Sequence, residues 1–460
     1  MLVFSTAVFI SERSKAFLLL RLVRGGRTSW GRVELVLPRR EAIAATHVRP
    51  RKGRTWLERK GMGRGPCDRA RCAAREAAGG ALKTTFPCTT QRRYVAAAEV
   101  DTGRGAGLSH RGRPGRILAK AMDLRVLIAG DGRHAWHEEA WVRALRDMGH
   151  EVRLFAFSEF FGSVLGRIQN RLLLGPRIGE SNRALLRLAH EFQPDVFLAY
   201  RALHLLPRTL AALREGLPNA RLVSYQNDNI FGALKGKSYW RLFRRALPLF
   251  DLHLVYRSQD VARFLDSGAK RAQVLRSFYL PWLHRRISPL ELRGPSVDIG
   301  FYGHSEPDHR LDQLDYLMRH LPAQYEIRGT DWARWSRGRA WAGMNTTPLH
   351  LEDYVQAINR TRLCLCFLSS WNQDSYTRRC FEIPACGSLL LSQRTDDLLT
   401  LYEEDKEAVF FSSAEELVDK AGFYLRHPTA RDEIAGMGQR RCIVSGYDIH
   451  SRMKEWLALL

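Results

Sequence analysis

Residues 372–391 of this 460-residue chain read NQDSYTRRCFEIPACGSLLL, a polar segment that leads through a short apolar stretch into a run of leucines. Gly387 predicts the end of a helix, and the leucines after it predict a buried strand. If Thr377 caps this helix, Arg378 and Arg379 lie in its first turn, where free N–H groups and the helix dipole favour an anion. The stretch therefore predicts an anion site at a helix start beside a parallel sheet.

Two acids flank the arginines, Asp374 before them and Glu382 after them, eight residues apart. Arg378 lies four residues after Asp374 and Arg379 three before Glu382, spacings that bring side chains together on a helix. We expect a diphosphate to bind the arginines while Glu382 accepts hydrogen bonds from sugar hydroxyls. The alternative is that an arginine only pairs with one of these acids on a helix surface. Two carboxylates also occur in glycosidases, but adjacent arginines in a βα unit favour nucleotide binding.

Strand and helix patterns alternate on both sides of this stretch. The sequence predicts a helix at residues 138–148 and strands at residues 125–129, 152–157, 196–200, 222–225, 252–256, 297–303, 325–328, 363–368, 388–391 and 408–411. Such βαβ series fold as parallel sheets covered by helices on both faces. The connector SPLELRGPS at residues 288–296 reads as a linker, so we predict one Rossmann-like domain at residues 122–290 and another at residues 291–460, facing a cleft.

Polar residues directly after the strands are candidate ligands, because doubly wound sheets bind ligands at the carboxyl ends of their strands. Gly303 ends the first strand of the second domain, where a glycine lets the backbone approach a phosphate. His304 and Arg310 follow it and are candidates to contact the phosphates of a bound nucleotide, and His304 is also a candidate catalytic residue. The alternative is that His304 is an ordinary loop histidine and Arg310 an arginine on a helix surface, neither of which binds a ligand.

The segment TRRCFEIPACG and the later EEDKEAVFFSSAEELVDKAGFYLRHPTARDEIAGMGQRR resemble the C-terminal domain of glycosyltransferases of the CgeB (spore-maturation) type, within the group-1 set of GT-B fold. The resemblance is strongest over residues 297–456, weaker over residues 122–284, and does not reach residues 1–121. It implies a nucleotide-sugar donor on the second domain and an acceptor on the first. It also implies protein donors in place of a metal ion.

The resemblance assigns roles by position. Glu382 would hold the ribose of the donor, and Asp374, where the usual residue is Glu, would lie near the transferred sugar. Trp332, in a GTDW turn similar to the family's G-x-x-W, would flank the base, unless it is an interior tryptophan. Asp228 in QNDN resembles an acidic position of the family and is the candidate base toward an acceptor hydroxyl; the alternatives are an Asx turn or a helix cap.

Charge is concentrated at one end of the chain. Residues 1–121 hold 26 of the 72 Lys and Arg residues but only 8 of the 48 Asp and Glu residues. This segment therefore carries a net charge of +18, out of +24 for the whole chain. This Arg-, Gly- and Ala-rich segment is predicted to be a disordered basic extension. We expect it to be an upstream read-through with Met122 as the functional start, with a basic arm or a targeting segment as alternatives. Its opening is too charged for a signal peptide or a membrane span.

The eight cysteines include no CxxC pair, which disfavours zinc and indicates buried, reduced thiols in a cytoplasmic protein. No DxD-like metal site is predicted and no cofactor is expected beyond the nucleotide sugar. We therefore predict a metal-independent glycosyltransferase acting on an unidentified glycan, lipid-linked glycan, protein or small-molecule acceptor. No specific nucleic acid and no transmembrane segment are expected, and peripheral membrane contact is allowed. The alternatives are a GT-B-fold nucleotide-sugar epimerase and a basic nucleic-acid-binding protein.

Overall fold

The computed structural model describes residues 6–10, 16–24, 27–34, 123–132, 137–232 and 239–460. Contacts divide the chain into two compact units, Met1–Leu108 and Ser109–Leu460. In the first unit the described residues form an antiparallel sheet of order β1-β2-β3. Its strands are β1 (Thr6–Ile10), β2 (Ala16–Arg24) and β3 (Arg27–Glu34).

These three strands differ from the prediction of disorder for residues 1–121. The run AFLLLRLVR is apolar enough to favour a strand, and only Gly25 and Gly26 separate it from β3, a spacing typical of tight hairpins. Residues 35–122 lie outside the described residues, so the prediction for them stays a prediction.

The second unit begins with a six-stranded parallel sheet of order β5-β4-β6-β7-β8-β9. Its strands are β4 (Arg125–Gly130), β5 (Glu151–Ala156), β6 (Val196–Tyr200), β7 (Arg221–Gln226), β8 (Leu252–Val255) and β9 (Ala272–Val274). The described helices with them are α1 (Glu138–Asp147), α2 (Val164–Leu172), α3 (Pro176–Phe192), α4 (Pro207–Gly216), α5 (Arg241–Ala246) and α6 (Asp260–Asp266). We call residues 123–274 the first half.

A second parallel sheet follows, of order β11-β10-β12-β13-β14. Its strands are β10 (Val297–Tyr302), β11 (Tyr325–Arg328), β12 (Thr361–Cys366), β13 (Leu389–Gln393) and β14 (Val409–Phe411). Its helices are α7 (His309–His320), α8 (Leu351–Asn359), α9 (Arg379–Ala385), α10 (Asp396–Leu401), α11 (Ala414–Arg426), α12 (Pro428–Val444) and α13 (Ile449–Leu457). Residues 297–457 are the second half.

Both sheets are buried on both faces, which explains why their strands are nearly continuous apolar runs. In β4, Val126 and Ile128 join a core cluster shared by the two halves, while the alternate residues Leu127 and Ala129 join a cluster within the first half. This two-residue alternation is the geometry of a strand. The predicted fold class, two Rossmann-like parallel sheets facing a cleft, is confirmed. Of the strands in these two sheets, the short strand β9 was not predicted.

The end of the chain packs on the first half. Tyr279 N–H donates to the Tyr447 carbonyl and Ile449 N–H to the Tyr279 carbonyl, both at 3.1 Å. Trp456 of α13 lies 5.6 Å, ring to ring, from Trp141 of α1. This contact ties the two halves together away from the cleft. Within the described residues, no helix has the length and apolar character needed to span a bilayer.

Candidate active site

A cavity of about 470 Å³ opens between the two sheets at the carboxyl ends of their strands. Asn227 and Tyr256 follow β7 and β8 on one side, and Gly303 and Gly329 follow β10 and β11 on the other. The predicted site residues that line it are Gly303, His304, Arg310, Asp374, Arg378, Arg379 and Glu382. Trp332 and Asp228 are not part of this lining.

Helix α9 begins at Arg379, with Arg378 at the N-cap and no side chain capping it, so the predicted Thr377 cap is wrong. The Thr377 hydroxyl instead lies 3.4 Å from the Cys366 sulfur, and the Thr377 carbonyl accepts the Cys380 N–H. A side chain engaged with the preceding strand cannot turn back to cap the helix. Both arginines still stand at the helix start.

Arg379 reaches across the end of β10. Its Nη1 donates to the Tyr302 carbonyl at 3.1 Å, and its guanidinium carbon lies 5.5 Å from the centre of the Phe301 ring. Its buried Nε has no hydrogen-bond partner among the described residues. A Cβ at Gly303 would lie 2.3 Å from Nη1, so the glycine makes room for the guanidinium. The arrangement leaves a buried donor in need of an acceptor.

Arg378 joins the two halves across the cavity. Its Nε lies 3.8 Å from Glu382 Oε1, and its Nη2 lies 3.4 Å from Nδ1 of His137 in the first half. His137 Nδ1 also lies 3.1 Å from the Tyr200 hydroxyl. Burial holds the pKa of Tyr200 well above its usual range, so the hydroxyl stays protonated.

Glu382 is buried, and its two carboxylate oxygens differ in their surroundings. Oε2 accepts the Tyr354 hydroxyl at 2.8 Å. Oε1 lies 3.6 Å from His284 Nε2 and 3.8 Å from Arg378 Nε, both longer than a hydrogen bond. His284 Nδ1 accepts the Leu280 N–H, and burial lowers the pKa of His284, so its proton is on Nε2. Oε1 therefore keeps the capacity to accept a ligand hydroxyl.

Asp374 pairs with Arg257 of the first half rather than with Arg378. Arg257 Nε donates to Oδ1 at 2.9 Å, and its Nη2 also contacts this oxygen. Residues 374–377 are not helical, so the four-residue spacing to Arg378 does not bring these charges together. Burial raises the pKa of Asp374 to about 6, although the Arg257 charge opposes that shift.

The loop after β10 is organised around Arg310, which is 1% exposed. Arg310 Nε donates to Asp308 at 2.8 Å, Nη1 to the His304 carbonyl at 3.1 Å, and Nη2 lies 3.1 Å from Glu306. Burial alone would raise the pKa of Glu306, but hydrogen bonds from His304 and Ser369 and the Arg310 charge lower it to about 2. Arg310 thus holds the loop that presents the exposed His304 imidazole to the cavity.

Trp332 and Asp228 lie outside the cavity lining. The buried Trp332 indole donates its N–H to the Gly303 carbonyl at 2.7 Å and packs edge-on against Phe301. Asp228 receives Arg201 Nη2 at 2.6 Å and is the neighbour of the lining residue Asn227. Trp332 therefore supports the backbone at Gly303 from the interior, as the interior alternative for this residue predicts.

Sequence reasoning missed three residues here: His137 and Tyr354, which line the cavity, and the buried Arg257, which pairs with Asp374. Arg257 comes two residues after strand β8, close to the kind of position that identified Gly303, and could have been found in a similar way. His137 stands just before α1, and Tyr354 on α8, with no local pattern to mark them. Among the described residues no group of three or more His, Cys, Asp or Glu side chains is placed to hold a metal ion.

The two facing parallel sheets have counterparts of known structure. HepE of Anabaena, solved with UDP and glucose, superposes with a TM-score of 0.52 at 14% identity, covering 73% of this chain and 100% of HepE. Sucrose-phosphate synthase from Thermosynechococcus elongatus gives 0.57 at 12% identity, covering 73% and 98%. The chain has the GT-B fold. A glycosyltransferase from Rickettsia africae gives 0.53 at 9% identity, covering 74% and 98%.

Sequence comparison finds a similarity over part of the chain. Residues 310–458 match a family described as glycosyl transferase-like. That match includes helix α9 and both acids of the pair, and it supports a glycosyltransferase. No curated protein sequence matches the chain.

Proposed function

We propose that this GT-B chain transfers a sugar from a nucleotide-diphosphate donor to an acceptor hydroxyl. The observation that carries the proposal is the convergence of Arg378, Arg379 and Glu382 on one cavity at the carboxyl edge of the second sheet. Two guanidinium groups beside a glycine backbone suit a diphosphate, and a carboxylate one helical turn away suits sugar hydroxyls. The family match over residues 310–458 supports the same reaction.

Each donor-binding residue has a role in the proposal. Arg379 Nε, which has no hydrogen-bond partner in the described part of the chain, and the Arg378 guanidinium bind the diphosphate, and Glu382 Oε1 accepts a ribose hydroxyl. The exposed His304 imidazole faces the same cavity, next to Gly303, and approaches the phosphates or the sugar. Arg310 positions the loop that carries His304, and Trp332 positions the Gly303 backbone through a hydrogen bond to its carbonyl, so both affect donor binding indirectly.

The chemistry follows from the charge that develops during transfer. Negative charge builds on the diphosphate oxygen as the bond to the sugar breaks, and fixed positive groups aimed at that oxygen lower the barrier. Arg378 and Arg379 supply this charge, and we propose that they serve in place of a metal ion. Asp228 is the proposed base for the acceptor hydroxyl, and Asp374, held by Arg257, is proposed to face the transferred sugar.

The CgeB-like subtype and a cytoplasmic location are also proposals, which rest on the sequence resemblance. The donor's sugar is left open. Because HepE was solved with UDP, that nucleotide is the first to test.

The test is calorimetry of the full-length chain with UDP, ADP, GDP and uridine, with and without EDTA. We expect one nucleoside diphosphate to bind much more tightly than its nucleoside, with no effect of EDTA. Incubation with the matching nucleotide sugar and a mixture of candidate acceptors then separates transfer from the alternative reactions. An isomerised nucleotide sugar without any acceptor would indicate an epimerase, and absence of diphosphate binding would refute the proposal.

A further inference from the structure

Helix α2 carries an apolar face that the fold does not cover. Val164, Leu165, Ile168 and Leu172 are between 51% and 66% exposed, and Leu174 follows with 62%. At 100° per residue the four helical positions fall within an arc of about 100°, so they form a single stripe. Gly166, on the far side of the helix, and Gln169, next to one edge of the stripe, are buried.

This stripe is held in a fixed geometry by the rest of the first half. The Ser163 hydroxyl caps the helix by accepting the Gly166 N–H at 3.0 Å, and Leu173 ends it in the left-handed region with its side chain buried. Arg241 donates to the Leu172 and Leu173 carbonyls at 3.0 Å and 2.7 Å. An anchored helix with an exposed apolar face is a surface prepared for a partner.

The charged residues of α2 are all of one sign. The helix contains Arg167 and Arg171 and neither Asp nor Glu, whereas Arg177 beyond it pairs with Glu180 at 2.7 Å. Arg167 and Arg171 are exposed and lie within about 60° of one edge of the stripe. An apolar face bordered by arginine is the pattern of a helix that lies in a membrane interface and attracts anionic headgroups.

The position of α2 relates this surface to the cavity. The helix follows β5 through a single 3₁₀ turn, Phe157–Phe161, and so lies at the carboxyl edge of the first sheet. The cavity opens at this same edge, after β7 and β8. A surface that binds α2 would therefore approach the side of the first half on which the acceptor is proposed to bind.

We propose that α2 docks on an anionic lipid bilayer and that the acceptor is a lipid-anchored glycan, the second part resting on the proposed function. Two copies of the chain joined through this face would bring Arg167 and Arg171 close to their counterparts. The chain's own residues 1–121 carry a net charge of +18 and would meet the same repulsion. A bilayer with anionic headgroups would bury the apolar stripe in its interface and pair its negative charges with Arg167 and Arg171.

Vesicle flotation of the full-length chain tests the docking, with vesicles of phosphatidylcholine alone and of phosphatidylcholine mixed with phosphatidylglycerol. We expect binding to the mixed vesicles, and a loss of at least about tenfold in affinity for L165E/I168E. The matched control is L290E/V444E, which makes the same charge change at two exposed apolar residues outside α2. L165S/I168S repeats the test without added charge, should the glutamates disturb folding.

Equal binding of the α2 variants and the control would overturn the docking proposal, because the basic segment alone would then explain vesicle binding. A dimer in solution that L165E/I168E dissociates would assign the face to a second copy instead. Nucleoside diphosphate binding, measured on the same proteins without vesicles, reports separately on the proposed function. If the chain binds vesicles but binds no nucleoside diphosphate, the docking of α2 on a bilayer would stand and the proposal of a lipid-anchored acceptor would be rejected.

Discussion

The two rims of the cavity differ in how their charged groups are used. On the second-half rim, the buried Arg379 Nε has no hydrogen-bond partner among the described residues, and Glu382 Oε1 lies beyond hydrogen-bond range of His284 and Arg378. On the first-half rim the lining is His137, Tyr225, Asn227 and Tyr256, and the acid behind it, Asp228, is paired with Arg201. A rim with unsatisfied charges suits a charged donor, and a neutral aromatic rim suits an acceptor sugar.

The largest expected effect is on turnover, and it tests the role assigned to the first-half rim. If Asp228 is the base, Asp228→Asn should reduce turnover by roughly 100-fold or more, because general base catalysis contributes about 10² to 10⁴. Donor affinity should not change, since Asp228 does not line the cavity. Steady-state kinetics with a fixed acceptor and calorimetry with the nucleoside diphosphate separate the two quantities.

Turnover near the wild-type value in Asp228→Asn would mean that Asp228 only anchors Arg201. The base would then have to be sought among the groups that do line the first half. His137→Ala is the companion variant, because His137 is the titratable side chain of that rim nearest to Arg378.

On the second-half rim, Arg379→Ala should weaken nucleoside diphosphate binding by about 10- to 150-fold, the equivalent of one charged hydrogen bond of about 1.5 to 3 kcal/mol. Nucleoside binding should change little, because the arginine is assigned to the phosphates. Arg319→Ala is the control: Arg319 is an exposed arginine of α7 that pairs with Asp315 away from the cavity. Arg378→Ala should have a smaller effect, because its guanidinium already lies near Glu382 and His137.

Gly303→Ala sharpens this prediction. The new Cβ would lie 2.3 Å from Arg379 Nη1, the far end of a flexible side chain, so the chain should fold while the guanidinium moves. Affinity for the diphosphate should fall with little loss of melting temperature. Gly329→Ala would place its Cβ 1.9 Å from the backbone oxygen of Gly303 and should destabilise the fold itself. Equal melting temperatures for the two variants would contradict the packing described for this loop.

The features that sequence reasoning found are those that local chemistry determines. Gly303, Arg378, Arg379 and Glu382 follow strands or start a helix, and spacing alone places such residues at the carboxyl edge. The partner of Asp374 was not predictable in this way, because Arg257 is 117 residues distant in the chain and meets it only when the two halves pack. The direction of the Trp332 ring was also left open, because a turn motif locates the backbone but not the ring; the ring is interior.

The acids on the two sides of the second-half rim should show opposite pH dependence. Burial raises the pKa of Asp374 from 3.8 to about 6, so its contribution to the free energy of unfolding is full at low pH and is lost as the pH rises through about 6. The pKa of Glu306 is lowered from 4.5 to about 2, so its contribution is present above its usual pKa and is lost as the pH falls toward 2.

Urea unfolding between about pH 4 and about pH 7 checks this, with wild type compared with Asp374→Asn and Glu306→Gln. The difference between wild type and Asp374→Asn should decrease as the pH rises. The difference between wild type and Glu306→Gln should decrease as the pH falls. Parallel curves would mean that the Arg257 charge fully offsets the burial of Asp374.

The smallest expected effect compares two buried tryptophans that pack against each other, their ring centres 5.4 Å apart. The Trp332 N–H donates to the Gly303 carbonyl, whereas the Trp341 N–H has no hydrogen-bond partner among the described residues. Phenylalanine removes either N–H and leaves a slightly smaller ring in each case. Trp332→Phe should therefore cost about 1 kcal/mol more in the free energy of unfolding than Trp341→Phe. It should also weaken diphosphate binding slightly, because the Gly303 backbone loses its support. If Trp341→Phe proves the more costly variant, ring packing rather than this hydrogen bond holds the loop in place.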